Sequence, residues 1–170
     1  PTIGLAAGAL IAGLHTFYRV VAAYMDLTSP PCDQAMNGPE RVVDLAACRV
    51  VFLPNGIVHT HFKDGLEVGP SDVQLMFDAI QATVAGCKVL LLVSVGEGTT
   101  MSNEARAYAS SEVSNALIAA DAIVVRDFSH QLAANVFVRH HKPARPIRMF
   151  PDQDSAMKWL EEQKHLIDRP

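Results

Sequence analysis

The chain lacks a CxxC pair. Its three cysteines, Cys32, Cys48 and Cys87, are odd in number and widely spaced. That pattern excludes a small disulfide framework or a zinc ribbon, and it points to a reducing, cytoplasmic setting with buried or incidental thiols. Positive charge is also scarce. The formal net charge is −4, so no basic face is available to neutralise phosphates, and a nucleic-acid partner is excluded. The one basic cluster, Arg139 to Lys142 with Arg145 and Arg148, reads as the solvated end of a helix and the loop after it. There is no internal repeat, no P-loop and no nucleophile elbow. Gly96-Glu97-Gly98 is followed by Met101 where a dinucleotide fingerprint requires glycine.

What is present is apolar. Hydrophobic residues make up 49% of the 170 residues and charged ones 19%, enough to bury a core and too little charge for disorder. Residues 1–40 stand apart. Ile3 to Tyr24 is nearly all apolar and long enough to span a membrane. Gly4, Gly8, Gly13 and Arg19 weaken that reading, and no basic residues precede the run as a signal peptide requires. Three expectations stay open for it: a span, an extra helix packed on the domain, or an extension foreign to a domain that starts near Met36. Asp26 to Pro39 reads as a Pro-rich linker. A membrane contact is expected only if residues 1–24 are a genuine span.

From residue 41 the pattern becomes regular. Cys48–Leu53 and Ile57–Lys63 are strand-like runs around Pro54-Asn55-Gly56, a strong hairpin signal. Ser71 and Asp72 open a helix that carries Val73, Met76, Phe77, Ile80 and Val84 on one face. Lys88–Ser94 is a continuous apolar run expected at the centre of a sheet. A helix capped by Ser102 should turn Ala105, Ala109, Val113, Ala116 and Leu117 inward. A strand at Ala122–Val125, a helix at Phe128–Val138, a strand at Pro146–Phe150 and a helix at Asp152–Gln163 follow, the last anchored by Trp159. The order β-β-α-β-α-β-α-β-α predicts an α/β fold with a mostly parallel sheet of four or five strands, an antiparallel hairpin at its start and about four helices. The domain is expected over 41–165, with 166–170 as a tail.

Several of these segments together are familiar. Glu104-Ala105-Arg106-Ala107-Tyr108, Ala119 to Val125, Asn135, Lys142-Pro143, Pro146 to Phe150 and Ala156 to Leu160 resemble small bacterial STAS-like proteins, the anti-sigma-factor-antagonist-like family. The likeness covers roughly 42–163. It implies a STAS-like sandwich that binds a protein partner, with a phosphorylated serine capping the helix after the central strand. Ser102 is the positional match, but Thr99-Thr100-Met101-Ser102-Asn103 stands where the family has an Asp-Ser-Ser-Gly-like signature.

The candidate regulatory or ligand-binding residues are therefore Ser102, Thr100, Glu104 and Arg106, at the carboxyl edge of the sheet where open α/β folds place their sites. The glycines and threonines of Gly96–Asn103 predict a mobile loop. Each residue has a plainer reading. Ser102 serves as an ordinary helix cap, and Glu104 with Arg106 as a salt-bridged pair. His59 and His61 share one strand face, lack further ligands for a metal, and read as an exposed hairpin face. No catalytic constellation, cofactor site or metal site is expected. The functional expectation is a non-enzymatic regulatory protein-binding module, with a partner protein or a second copy of the chain as its target. The alternative is a carrier for a small or lipid-like ligand.

Overall fold

The computed structural model describes residues 38–84, 86–125 and 144–167. The apolar segment 1–24, most of the linker, the helix expected at Phe128–Val138 and the basic run Arg139–Lys142 lie outside them.

The described residues form eight strands: β1 (Arg41–Asp44), β2 (Cys48–Phe52), β3 (Ile57–Phe62), β4 (Glu67–Val68), β5 (Val89–Val95), β6 (Thr100–Met101), β7 (Ile118–Val124) and β8 (Ile147–Phe150). Six form one sheet in the order β1-β2-β3-β5-β7-β8, and β4 pairs with β6 apart from it. The pairings β1/β2 and β2/β3 are antiparallel, while β3/β5, β5/β7 and β7/β8 are parallel. The α/β class and its opening hairpin are as the sequence predicts. The sheet has one strand more than expected, because Arg41–Asp44 adds an edge to the hairpin.

Four helices are described: α1 (Pro70–Val84), α2 (Asn103–Ala109), α3 (Glu112–Leu117) and α4 (Gln153–Glu162). The two faces of the sheet carry separate apolar clusters. Val50, Val58, Phe62 and Leu91 pack with Val73, Met76, Phe77, Ile80 and Val84 of α1, Ala105 of α2 and Leu117 of α3. Ile57, Leu90, Leu92, Ala120 and Ala122 pack with Ala156 and Leu160 of α4. Strand alternation produces this division, since successive side chains point to opposite faces.

Local chemistry and packing correct five expectations. Pro70 is the first residue of α1, where its missing N–H costs nothing. Asp72 reaches back to accept from the N–H of Gly69 at 2.9 Å, so Gly69 and not Ser71 occupies the cap. The single helix expected after Ser102 is two. Ser110 N–H closes on the carbonyls of Arg106 and Ala107, and its hydroxyl donates to Arg106 O at 3.1 Å. That competition ends α2, and α3 restarts with a shifted phase. Val113 is consequently 57% exposed and Ala116 also faces out. β7 begins at Ile118, four residues before the strand predicted at Ala122. Trp159 is half-buried rather than fully buried, its ring 5.6 Å from that of Phe150. Leu166 and Ile167 pack against the second cluster, so the packed chain runs past residue 165.

The cysteines also differ. Cys48 is fully buried and free, its thiol pushed up to about 11, chiefly by burial. Cys87 is disulfide-bonded. Sequence spacing does not show which cysteines approach in the fold, and the inference of a reducing compartment loses its support here.

Candidate functional site

β5 is a central strand of the sheet, buried at five of its seven positions, and its carboxyl end leads into Gly96-Glu97-Gly98-Thr99. Gly96 N–H donates to Phe62 O at 2.8 Å at the end of β3. A Cβ on Gly96 would lie 2.6 Å from Asp64 N and 2.7 Å from Lys63 C, so only glycine fits between the two loops. Gly65 N–H donates to Glu97 O, and Glu97 N–H to Asp64 Oδ1 at 2.8 Å. Thr99 is fully buried. Its hydroxyl donates to Lys63 O at 2.5 Å and accepts from Leu66 N at 3.1 Å. The short β4/β6 pair completes the tie. The loop expected to be mobile is thus stitched to residues 63–68, because its hydrogen-bonding groups are spent on a neighbouring loop.

Beneath this loop, on the α1–α2 side of the sheet, lies a cavity of about 380 Å³. Its walls include Phe77, Val93, Met101 and Ile123, with Glu97, Arg106, Asp121 and Arg145 as charged members. It sits at the carboxyl ends of the parallel strands, the usual position for ligands in open α/β sheets.

Of the predicted residues, Arg106 lines this cavity and the other three do not. Ser102 is the N-cap of α2, its hydroxyl accepting from Ala105 N at 3.1 Å. Thr100 pairs through its backbone with β4, and its side chain is exposed. Glu104 is exposed. Arg106 does not pair with Glu104 but donates to Asn103 Oδ1 at 3.0 Å. Residues two apart on a helix point in different directions, whereas three apart share a face.

The sequence reading missed the cavity's charged floor. Asp121 is 4% exposed and Arg145 9%. Arg145 Nε donates to Asp121 Oδ2 at 2.7 Å. Its other nitrogens donate to Ser114 Oγ at 3.0 Å, Asn115 Oδ1 at 2.5 Å and Ala109 O at 3.0 Å. Arg145 therefore ties β7 to α2 and α3, and it is not part of a solvated basic cluster. Burial pushes the Asp121 carboxyl up to about 6, against the opposing pull of Arg145. The signal was available: a lone acid stands in the apolar run Ala119 to Val125, and such a residue is seldom buried without a cation.

His59 and His61 are also not on an exposed face. Both are half-buried, and both hydrogen-bond the hydroxyl of Ser94, His59 Nε2 at 2.8 Å and His61 Nδ1 at 2.9 Å. Ser94 is 5% exposed. Among the described residues no group of three or more His, Cys, Asp or Glu gathers as metal ligands, and no helix is long and apolar enough to cross a membrane.

The fold and the cavity define an α/β domain with a largely apolar pocket at the carboxyl edge of its sheet. The chain belongs to the family described as Domain of unknown function (DUF7793), whose model matches residues 51–164. No curated protein sequence matches it. Among solved structures it is similar to an uncharacterized protein of the DUF3478 family with a SpoIIAA-like fold from Shewanella loihica PV-4. The identity is 12%, the match covers 72% of this chain and 92% of that one, and the TM-score is 0.46.

Proposed function

We propose that the domain acts by binding and not by catalysis, and that it takes a small, largely apolar molecule in the cavity beneath Gly96–Met101. One observation carries this reading: about 380 Å³ of space enclosed mainly by apolar side chains, at the sheet edge where such folds hold ligands. The hydroxyls of the overlying loop are engaged in structure, with Thr99 stitching two loops and Ser102 capping α2. Among the described residues, the serine that hydrogen-bonds histidines, Ser94, is 5% exposed.

The test is native mass spectrometry and organic extraction of the purified full chain, beside an Ile123→Trp variant whose indole would occupy the cavity. An occupant present in the wild type and lost in the variant supports the reading. An occupant retained in a folded variant overturns it.

A second reading is a regulatory module for a protein partner. Leu75 on α1 and Val113 on α3 favour it, being 52% and 57% exposed on helices of the same sheet face. Leu75→Glu with Val113→Glu should then abolish capture of a stoichiometric partner without altering what the cavity holds. Unchanged capture by that double variant would remove this second reading.

A further inference from the structure

The other face of the sheet carries a cluster that the cavity does not use. Ile57, His59 and His61 alternate along β3 with Val58, Thr60 and Phe62. Ile57 packs in the cluster under α4, while Phe62 lines the cavity, so the two histidines face away from it. Their ring nitrogens converge on one atom. His59 Nε2 stands 2.8 Å and His61 Nδ1 2.9 Å from Ser94 Oγ. Two imidazole nitrogens and a hydroxyl oxygen thus meet at one half-buried point, and imidazole is a preferred ligand of zinc and copper.

We infer that His59, His61 and Ser94 form a site for one divalent transition-metal ion of the zinc and copper(II) class, with water in the remaining positions. The spacing fits. Ligands about 2.0–2.1 Å from a metal stand about 2.9 Å apart at right angles and about 3.4 Å apart at the tetrahedral angle. The two observed separations lie at the near end of that range, so small side-chain rotations seat an ion among the three atoms. The protons can also be placed. Among the described residues neither outer nitrogen, His59 Nδ1 nor His61 Nε2, is hydrogen-bonded. Each outer nitrogen can carry the ring proton, which leaves the inner one as a lone-pair donor. Burial and then His61 hold His59 below its ordinary value, so it is neutral at pH 7, the form that ligates metal. The surrounding charge is modest. Arg49 stands opposite His61 on β2 and is exposed, where water screens it. Lys63 is paired with Asp44 at 2.9 Å. On β5 the residues opposite the histidines are Leu92 and Ser94, both uncharged. The affinity therefore comes from the two imidazoles, and an oxygen-seeking ion such as magnesium is excluded.

The test is calorimetric titration of the full chain with zinc, copper(II) and magnesium salts at pH 7.5, joined to imidazole ¹⁵N NMR. Zinc should bind, copper(II) more tightly, and magnesium not at all. Zinc should shift the resonances of His59 Nε2 and His61 Nδ1. Removing a group that merely orients a metal ligand costs about 10–100-fold in affinity, so His59→Gln and His61→Gln should each weaken zinc by at least about tenfold. His165→Gln, at an exposed histidine, should leave it unchanged. At pH 5.5 the zinc should be released as both imidazoles protonate. No saturable binding, or binding that both His59→Gln and His61→Gln leave intact, would mean an adventitious ion only and would overturn the site. Should these variants not fold, the wild-type spectrum decides alone, and shifts confined to other histidines would overturn it. The reading of the cavity stands or falls separately, since the two sites lie on opposite faces of the sheet.

Discussion

His59 and His61 share one hydroxyl. Ser94 Oγ lies 2.8 Å from His59 Nε2 and 2.9 Å from His61 Nδ1. The two histidines are two apart on β3 and so face the same way, and Ser94 stands opposite His61 in the register of β5. A serine hydroxyl donates once, so one imidazole accepts from it and the other donates to it. Protonating both would set two cations on one half-buried face.

The stability of the protein should fall as the pH drops below 6.5. His59 is held below its ordinary value of 6.5, mainly by burial and then by His61. The unfolded chain therefore takes up the proton first, and the contribution of neutral His59 is lost as pH falls from 6.5 toward the folded value. Asp121 acts in the opposite sense. Its value rises from 3.8 to about 6, so its neutral form adds stability as pH falls through 6, and that contribution is complete below 3.8. Urea melts of the wild type and His59→Gln between pH 8 and 5.5 check this. A wild-type decline just below 6.5 that is flattened in His59→Gln is expected. Parallel curves would remove His59 as the cause.

Replacing Arg145 with Met should destabilise the domain by about 3–5 kcal/mol, because it leaves Asp121 buried and unpaired. The loss should shrink at pH 5, where Asp121 is increasingly neutral. Adding Asp121→Asn should restore much of it, since the pair is then removed as a unit. A double-mutant cycle by urea denaturation measures both effects.

Gly96→Ala should cost about 1–3 kcal/mol, as overpacking does, because its Cβ would meet the backbone of Lys63 and Asp64. Backbone on both loops must separate, so the cavity mouth shifts as well. Thermal melts report the first effect, and the occupant detected by native mass spectrometry reports the second. An unchanged melting midpoint would mean that the two loops part without cost.

Gly56→Val should cost about 1–3 kcal/mol. Gly56 has φ of 79°, which a β-branched residue resists. Its N–H closes the turn on Leu53 O at 3.3 Å, and Asn55 Nδ2 beside it donates to Glu161 of α4 at 2.6 Å. The strain therefore reaches the docking of α4, and the emission of Trp159, the single tryptophan, should move to longer wavelength along with the lower melting point.

The class of fold was legible because it depends on local pattern. The apolar run Lys88–Ser94 specifies a central strand, Asn55-Gly56 a hairpin, and the spacing of Val73, Met76, Phe77, Ile80 and Val84 one face of a helix. All five of those helix residues are buried. The pattern failed where a short side chain competes with the backbone, as at Ser110, or where one residue at a helix start replaces another as cap, as Gly69 does for Ser71.

The candidate site was legible only as a place. Gly96–Asn103 follows the most apolar strand, and that alone puts it at the carboxyl edge of the sheet. The roles of its residues were not, because hydrogen-bond partners are distant in sequence. Thr99 is 36 residues from Lys63, and Asp121 is 24 from Arg145. Only the folded chain decides that Thr99 is spent on a loop, that Ser94 joins two histidines, and that Arg145 satisfies one oxygen of Asp121 and leaves the other bare. The sequence by itself determined which segments become strand or helix and which faces are apolar, since those follow from periodicity of two and 3.6 residues. The tertiary structure decided where polar groups meet and where space is left between layers, since both depend on contacts that no local spacing encodes.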